Sequence, residues 1–375
     1  MSRHALLLSS LLLASGLHAQ RIGVVLSGGG AVGLTHIGVL MALEDNDIPI
    51  DYITGSSMGA LIGALYASGA SPAQMDSLFQ SDLYQQMSRG GVEPQYTYYF
   101  KQDVPDASMI SLGLNVDTTL QMSLPTNLRS PVLIDFEQMR SFAGASAAAD
   151  YNMDSLFVPF RCVASDITAR KEVVFSKGNL AVAVRASMSY PFYFKPILVD
   201  GHLMMDGGMY NNFPSDVMFH DFLPDYIIGS NVAYNAPDPD ADDLMSQLKS
   251  IMTQPTSYVL PCDPGVIIEP KTSTTLFDFA SAKQAVLDGY ASAMERMPEI
   301  MEEVERRRPK ADVERARARF RAKCPPVVIG DIQFNGLNKG QSLYCDRLLN
   351  KRNEPLTADA LKPRYFRLYA DNNIS

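Results

Sequence analysis

The sequence predicts an α/β fold built on a mostly parallel sheet covered on both faces. Three observations carry this reading. Short apolar runs end in glycine, helical periodicities follow them, and that pair repeats along residues 21–69. Arg21 to Leu26 is the first such run, closed by Ser27-Gly28-Gly29-Gly30, as suits a strand buried on both faces. From Ala31 to about Glu44, Leu34, Ile37, Val39, Leu40 and Leu43 lie mostly on one side of a helix. Pro49 opens the next strand, Tyr52-Ile53-Thr54, which stops at Gly55. Met58, Leu61, Ile62 and Leu65 then recur at helical spacing until Gly69 closes the second helix.

Residues from about 75 to 150 break that rhythm and read as an insertion over the sheet edge. Ile110, Leu112, Leu114 and Val116 alternate with polar or small residues, the pattern of a half-buried strand. The aromatic group Tyr96, Tyr98, Tyr99 and Phe100 just before it fits a lipid-contacting lid or ordinary core. The sheet resumes with Phe160 to Ala164, Val173 to Phe175, Ile197 to Val199, Tyr226 to Ile228 and Val266 to Ile268. From Ala282 to about Lys323 the chain is helical and charged, with Pro298 and Pro309 as interruptions. There Glu302, Glu303 and Glu305 face Arg306, Arg307 and Arg308, a pattern for a solvated face or for lipid headgroups. Cys324-Pro325-Pro326 marks a boundary. Beyond it Val327-Val328-Ile329 and Ile332-Gln333-Phe334 read as a strand, and Thr357 to Tyr369 as a helix.

Residues 1–19 read as an export signal: Arg3 and His4 precede the apolar run Ala5 to Leu13, and Ala14-Ser15-Gly16-Leu17-His18-Ala19 follows with cleavage after Ala19. That run is too short to span a bilayer. Hydrophobic content of 46% suits a packed core. A net charge of −9 argues against nucleic acid as a partner. Cys162, Cys262, Cys324 and Cys345 match no zinc spacing. Export permits disulfides in any of three pairings, and free buried thiols are an equal alternative.

Gly28-Gly29-Gly30-Ala31-Val32-Gly33 fits the dinucleotide-binding fingerprint Gly-x-Gly-x-x-Gly. That reading needs an acidic residue ending the next strand. Asp51 precedes that strand instead, and the required position holds Gly55-Ser56-Ser57. The pentapeptide Gly55-Ser56-Ser57-Met58-Gly59 is Gly-x-Ser-x-Gly between a strand and a helix, where the turn exposes a serine Oγ at a helix N-terminus. A nucleophilic Ser57 needs an oxyanion site, and the Gly28–Gly30 loop supplies backbone N–H groups that no side chain obstructs. It also needs a base. His36, His202 and His220 are the histidines beyond residue 20, and none sits in a loop after a late strand, where a triad histidine belongs. Asp206, after Leu203-Met204-Met205 and before Gly207-Gly208, fits the role if burial raises its basicity.

Ser27-Gly28-Gly29-Gly30-Ala31-Val32-Gly33-Leu34, Gly55-Ser56-Ser57-Met58-Gly59 and Asp206-Gly207-Gly208 together resemble the three signature blocks of patatin-like phospholipases, in order. Ala186-Ser187-Met188-Ser189-Tyr190-Pro191-Phe192 resembles the segment before the aspartate block. The resemblance implies a three-layer α/β/α fold, a Ser57–Asp206 dyad, an oxyanion hole on Gly28, Gly29 and Gly30, and metal-free, cofactor-free hydrolysis of phospholipid or other acyl-lipid esters at a membrane surface. Such a family usually carries Arg or Lys where this chain has Val32; Arg185 and Lys195 are candidates to substitute for it. The tail from about Val327 resembles the start of a POTRA module, which precedes outer-membrane β-barrels. The implied organisation is a signal over 1–19, an acyl hydrolase domain over 20–300, a charged helical linker over 301–325 and a small α+β POTRA-like segment over 326–375. It implies export to the periplasm, outer membrane or cell surface, with a barrel in the same longer chain.

Overall fold

A computed structural model describes residues 20–90, 113–116, 120–123, 129–330, 332–349 and 356–369. The leader over 1–19, the aromatic group Tyr96, Tyr98, Tyr99 and Phe100, Ile110 and Leu112 lie outside the described residues.

The chain opens with strand β1 (Ile22–Leu26), a 3-10 turn over Gly30–Leu34 and helix α1 (Thr35–Asp45). Then come β2 (Tyr52–Ser56), α2 (Met58–Ala67), α3 (Pro72–Phe79) and α4 (Asp82–Arg89). A hairpin of β3 (Gly113–Val116) and β4 (Leu120–Ser123) precedes α5 (Val132–Ala148). Next are β5 (Phe160–Asp166), β6 (Lys171–Phe175), α6 (Leu180–Ser187), β7 (Ile197–Val199) and β8 (His202–Asp206). The remainder comprises α7 (Ser215–Phe222), β9 (Tyr226–Ser230), α8 (Leu244–Met252), β10 (Gly265–Ile268), α9 (Ala282–Glu303), α10 (Lys310–Arg321), β11 (Val328–Ile329), α11 (Lys339–Leu349), β12 (Leu356–Thr357) and α12 (Ala358–Tyr369).

Eight strands form the central sheet in the order β10-β9-β1-β2-β5-β8-β7, with β6 also on β5. Strands β10, β9, β1, β2 and β5 are parallel, while β6, β7 and β8 add antiparallel pairings at one end. Strand β1 shows how the layers arise. Ile22, Val24 and Leu26 enter the main core with α1, α2 and α9, and Val25 enters a second core with Phe213, Met218 and Ile227 on the opposite face. The result is the expected three-layer α/β/α sandwich.

Helices α1 and α9 cross where each has a glycine. A Cβ on Gly38 would lie 2.0 Å from the Val286 carbonyl oxygen, and one on Gly289 would lie 2.0 Å from that of Thr35. Pro298 was expected to interrupt this helix but lies inside α9, whose neighbours Met297 and Ile300 are fully packed. Their burial offsets the hydrogen bond that proline removes. Pro309 does separate two helices, capping α10.

Residues 301–325, expected as a charged linker, contribute Val304, Val313, Arg317 and Phe320 to the interior. Arg317 pairs with Glu44 of α1 and lies over the rings of Tyr66 and Phe157. Residues 332–334 are not strand, and β11 pairs antiparallel with β12. Leu349, Ala358, Leu361 and Phe366 of this last segment pack on Leu133 and Phe136 of α5. No disulfide joins the four cysteines among the described residues, and Cys162 and Cys345 are buried. No described helix is long and apolar enough to cross a membrane.

Candidate active site

Strand register creates the site. Cys162 and Val163 of β5 pair with β2 and β6 at once, so those strands occupy opposite flanks. Strand β6 keeps its flank through Asp166, and β8 therefore takes the flank that β2 leaves after Ser56. The two strands run toward each other and meet tip to tip. Ser56 sits opposite Val163 and Asp206 opposite Ala164, which brings Ser57 and Asp206 to the junction. Gly207 has no room for a side chain there. Its Cβ would lie 2.3 Å from the Val163 carbonyl oxygen and 2.4 Å from Ser56 Oγ.

Ser57 holds φ 52° and ψ −120°, a region where a non-glycine residue costs roughly 1–3 kcal/mol. Its surroundings fix this conformation. The Ser57 N–H donates to Ser187 Oγ at 2.8 Å, and that hydroxyl donates to the Val163 carbonyl. A Cβ on Gly55 would lie 2.5 Å from the Gly59 carbonyl oxygen, and one on Gly59 would lie 2.3 Å from that of Leu26. Gly55 therefore lets the turn close on itself, and Gly59 lets it cross β1 closely. Ser57 Oγ, at the N-terminus of α2, donates to Asp206 Oδ2 at 2.6 Å.

Asp206 is 3% exposed. Its Oδ1 accepts the Gly208 N–H at 2.8 Å, and its own N–H donates to the Ser189 carbonyl at 3.0 Å. Burial pushes its carboxyl pKa up to about 6, against the opposing pull of the Ser57 and Gly208 hydrogen bonds.

The glycine loop abuts the serine, since a Cβ on Gly28 would lie 3.0 Å from Ser57 Cβ. The Gly28 N–H, expected as an oxyanion donor, donates to the Asn212 carbonyl at 3.0 Å. Gly29 and Gly30, at the start of the 3-10 turn, have N–H groups with no acceptor among the described residues. Gly30 has φ 54°, which favours glycine. Gly33 lies against Met58, where a Cβ would come within 2.7 Å of that side chain.

Asn212 escapes a local reading of the sequence. Its carbonyl holds Gly28, its Oδ1 lies against Gly28 and Gly208, and its Nδ2 donates to the Tyr258 hydroxyl at 3.1 Å. The only sequence signal is its position in the turn-rich stretch after Asp206-Gly207-Gly208.

The three histidines stay out of the site. His36 is buried between the Ser27 carbonyl and Ser230 Oγ, and burial lowers its pKa to about 4, so it is neutral. His202 pairs with Asp166 at 2.8 Å, and His220 packs edge-on to Phe219. Asp51 accepts from the Ile22 N–H and pairs with Arg306 at the other end of β1 from the glycine loop. It is out of reach of a ligand on that loop. Arg185 is buried and donates to Asp135, Ser189 Oγ and the Lys195 carbonyl, so it does not substitute for a cation at Val32. Lys195 is exposed.

A small cavity of about 40 Å³ lies between α2, α3, α4 and α5, lined by Leu61, Leu65, Phe79, Tyr84 and Phe142 with Glu137 and Arg140 at its wall. Gln138 lines it too and donates to Met188 Sδ, next to the Ser187–Ser189 segment that holds Ser57 and Asp206. No group of three or more His, Cys, Asp or Glu among the described residues could hold a metal ion.

The family model described as patatin-like phospholipase matches residues 24–219. Patatin-like phospholipase domain-containing protein 6 of Mus musculus is 34% identical over 208 residues, which is 55% of this chain and 13% of that protein. Neuropathy target esterase sws of Drosophila melanogaster is 32% identical over 226 residues, 59% of this chain and 13% of its own length. The chain thus matches only a small part of these curated relatives. Among solved structures, VipD from Legionella pneumophila aligns with TM-score 0.35 and 12% identity over 75% of this chain and 67% of that one.

Proposed function

The chain belongs to the patatin-like phospholipase family, and from that premise we propose that it hydrolyses acyl esters of lipids, phospholipids or lysophospholipids among them, with Ser57 and Asp206 as a dyad. The observation that carries this is the 2.6 Å hydrogen bond from Ser57 Oγ to Asp206 Oδ2.

Ser57 Oγ attacks the ester carbonyl carbon while its proton passes to Asp206. A base with a pKa of about 6 is ionised at neutral pH yet still basic enough to take that proton. The carbonyl oxygen gains the negative charge. The unengaged N–H groups of Gly29 and Gly30 and the N-terminus of α2 support it there. The C–O bond to the alcohol breaks, and Asp206 returns its proton to the leaving oxygen. Water then gives a proton to Asp206 and attacks the acyl-enzyme carbonyl; the bond from that carbon to Ser57 Oγ breaks, Oγ takes the proton back from Asp206, and the acid leaves.

The wider organisation is proposed on the same footing: export by residues 1–19, action at a membrane surface, and a POTRA-like segment over 326–375 leading to a barrel in a longer chain. Ser57→Ala abolishes hydrolysis of phospholipid and nitrophenyl esters and labelling by a fluorophosphonate; full activity in that variant overturns the dyad. The apolar Val32, with Arg185 committed elsewhere, favours one second reading, a catalytically weak binding module on a barrel protein. Folded wild-type protein that a fluorophosphonate leaves unlabelled supports that reading.

A further inference from the structure

Four apolar side chains stand exposed beside the site. Tyr190 is 37% exposed, Phe192 46%, Leu276 39% and Phe277 52%. Phe192 also holds φ 64°, an unfavourable setting for a bulky side chain. Tyr190 and Phe277 form an aromatic surface with Tyr193, and Phe192 and Leu276 adjoin it along the chain. Phe277 stacks on Tyr193 with centroids 4.9 Å apart and meets Tyr190 edge-on at 6.2 Å. The surface touches both halves of the site. The Leu276 carbonyl accepts the Ala31 N–H of the glycine loop, and Ser189, next to Tyr190, accepts the Asp206 N–H.

Cations border it, although the whole chain carries −9. Arg129 donates from its backbone to the Tyr193 carbonyl and from its side chain to the Arg89 carbonyl. The carbonyl of Lys195 is held by Arg185, and the side chains of Arg89, Arg129 and Lys195 are exposed. Of the two carboxylates in the loop over residues 269–278, Asp278 accepts from Ser281 Oγ and Glu269 stands at its start beside Tyr234.

We propose that this aromatic surface docks on a phospholipid bilayer bearing anionic headgroups, with Phe192 and Phe277 entering the interface and Arg89, Arg129 and Lys195 meeting the headgroups. Aromatic rings partition to the headgroup level, and cations are drawn to an anionic leaflet. Docking there sets the glycine loop and Asp206 at the lipid surface. The inference rests on the acyl-ester hydrolase reading.

The test separates the two. In a Ser57→Ala background, so that lipid is not consumed, the full chain floats with vesicles of phosphatidylglycerol and phosphatidylcholine. Phe192→Gly with Phe277→Ser lowers the bound fraction by about tenfold or more, as does Arg129→Glu with Lys195→Glu, and high salt weakens binding. Glycine accepts φ 64° at position 192, so the first pair does not strain the backbone. With Ser57 intact, both pairs keep hydrolysis of a water-soluble nitrophenyl butyrate and lose hydrolysis of vesicle lipid. Flotation of both pairs at the wild-type level overturns the proposal, as does an equal loss on both substrates. Failure of the hydrolase reading appears separately, as soluble-ester hydrolysis that survives Ser57→Ala.

Discussion

At Asp206 burial raises the carboxyl pKa from 3.8 to about 6, and that shift couples reactivity to stability. A raised carboxylate pKa means that the folded state holds the proton more tightly than the unfolded chain. Its stabilising contribution is full below pH 3.8 and is lost as pH rises through about 6. At neutral pH the ionised group thus costs about 3 kcal/mol, at 1.36 kcal/mol per pKa unit. Asp206→Asn should therefore cut kcat/KM by roughly 10²–10⁴ while raising the calorimetric melting temperature at pH 8, with the gain shrinking toward pH 4. A variant as labile as wild type at pH 8 contradicts this account. Wild-type kcat/KM should climb tenfold per pH unit up to about 6 and then level off. His36 has the opposite sign. Its pKa is lowered to about 4, so its contribution is present above pH 6.5 and is lost as pH falls toward 4.

Helix α6 connects elements to chemistry. Its last residue, Ser187, accepts the Ser57 N–H and donates to β5, which pins the strained turn to the sheet. Ser187→Ala leaves a largely buried N–H without a partner, worth ~1–3 kcal/mol. The expected result is a kcat reduced about tenfold with KM little changed; an unaltered kcat removes Ser187 from this positioning role. Most of these elements are legible in the sequence because their signals are local. Glycine-bounded apolar runs mark β1 and β2, and the Ser57 and Asp206 motifs mark the turns that end β2 and β8. Long-range pairing is not local. Nothing in the sequence around Gly28 says that Asn212 takes its N–H, and nothing around Leu203 says which flank of β5 receives β8. Pro298 misled because helix propensity competes with packing, and packing against α1 prevails.

Across the whole molecule, Arg317 ties the end of the α/β sandwich to its start. Its side chain is 1% exposed and that of Glu44 2%. Its charged helix reads as a solvated face because the composition does not reveal that one arginine points inward. Arg317→Ala strands the Glu44 carboxylate in the interior, at a cost of ~3–5 kcal/mol. Urea unfolding should show that loss, whereas the rate of Ser57 labelling in the absence of urea stays at the wild-type level. A loss under 1 kcal/mol, the ceiling for most exposed pairs, contradicts a buried role.

The tip-to-tip meeting of β2 and β8 leaves the chemistry no intermediate setting. A strand advances about 3.3 Å per residue and alternates its faces. One step of β8 along β5 would set Met205 or Gly207 opposite Ala164 and turn the carboxylate to the far side of the sheet. Small insertions in β8 or in the turn before His202 should therefore act as a switch, giving either full hydrolysis or none, while equal insertions in surface loops change the rate by degrees.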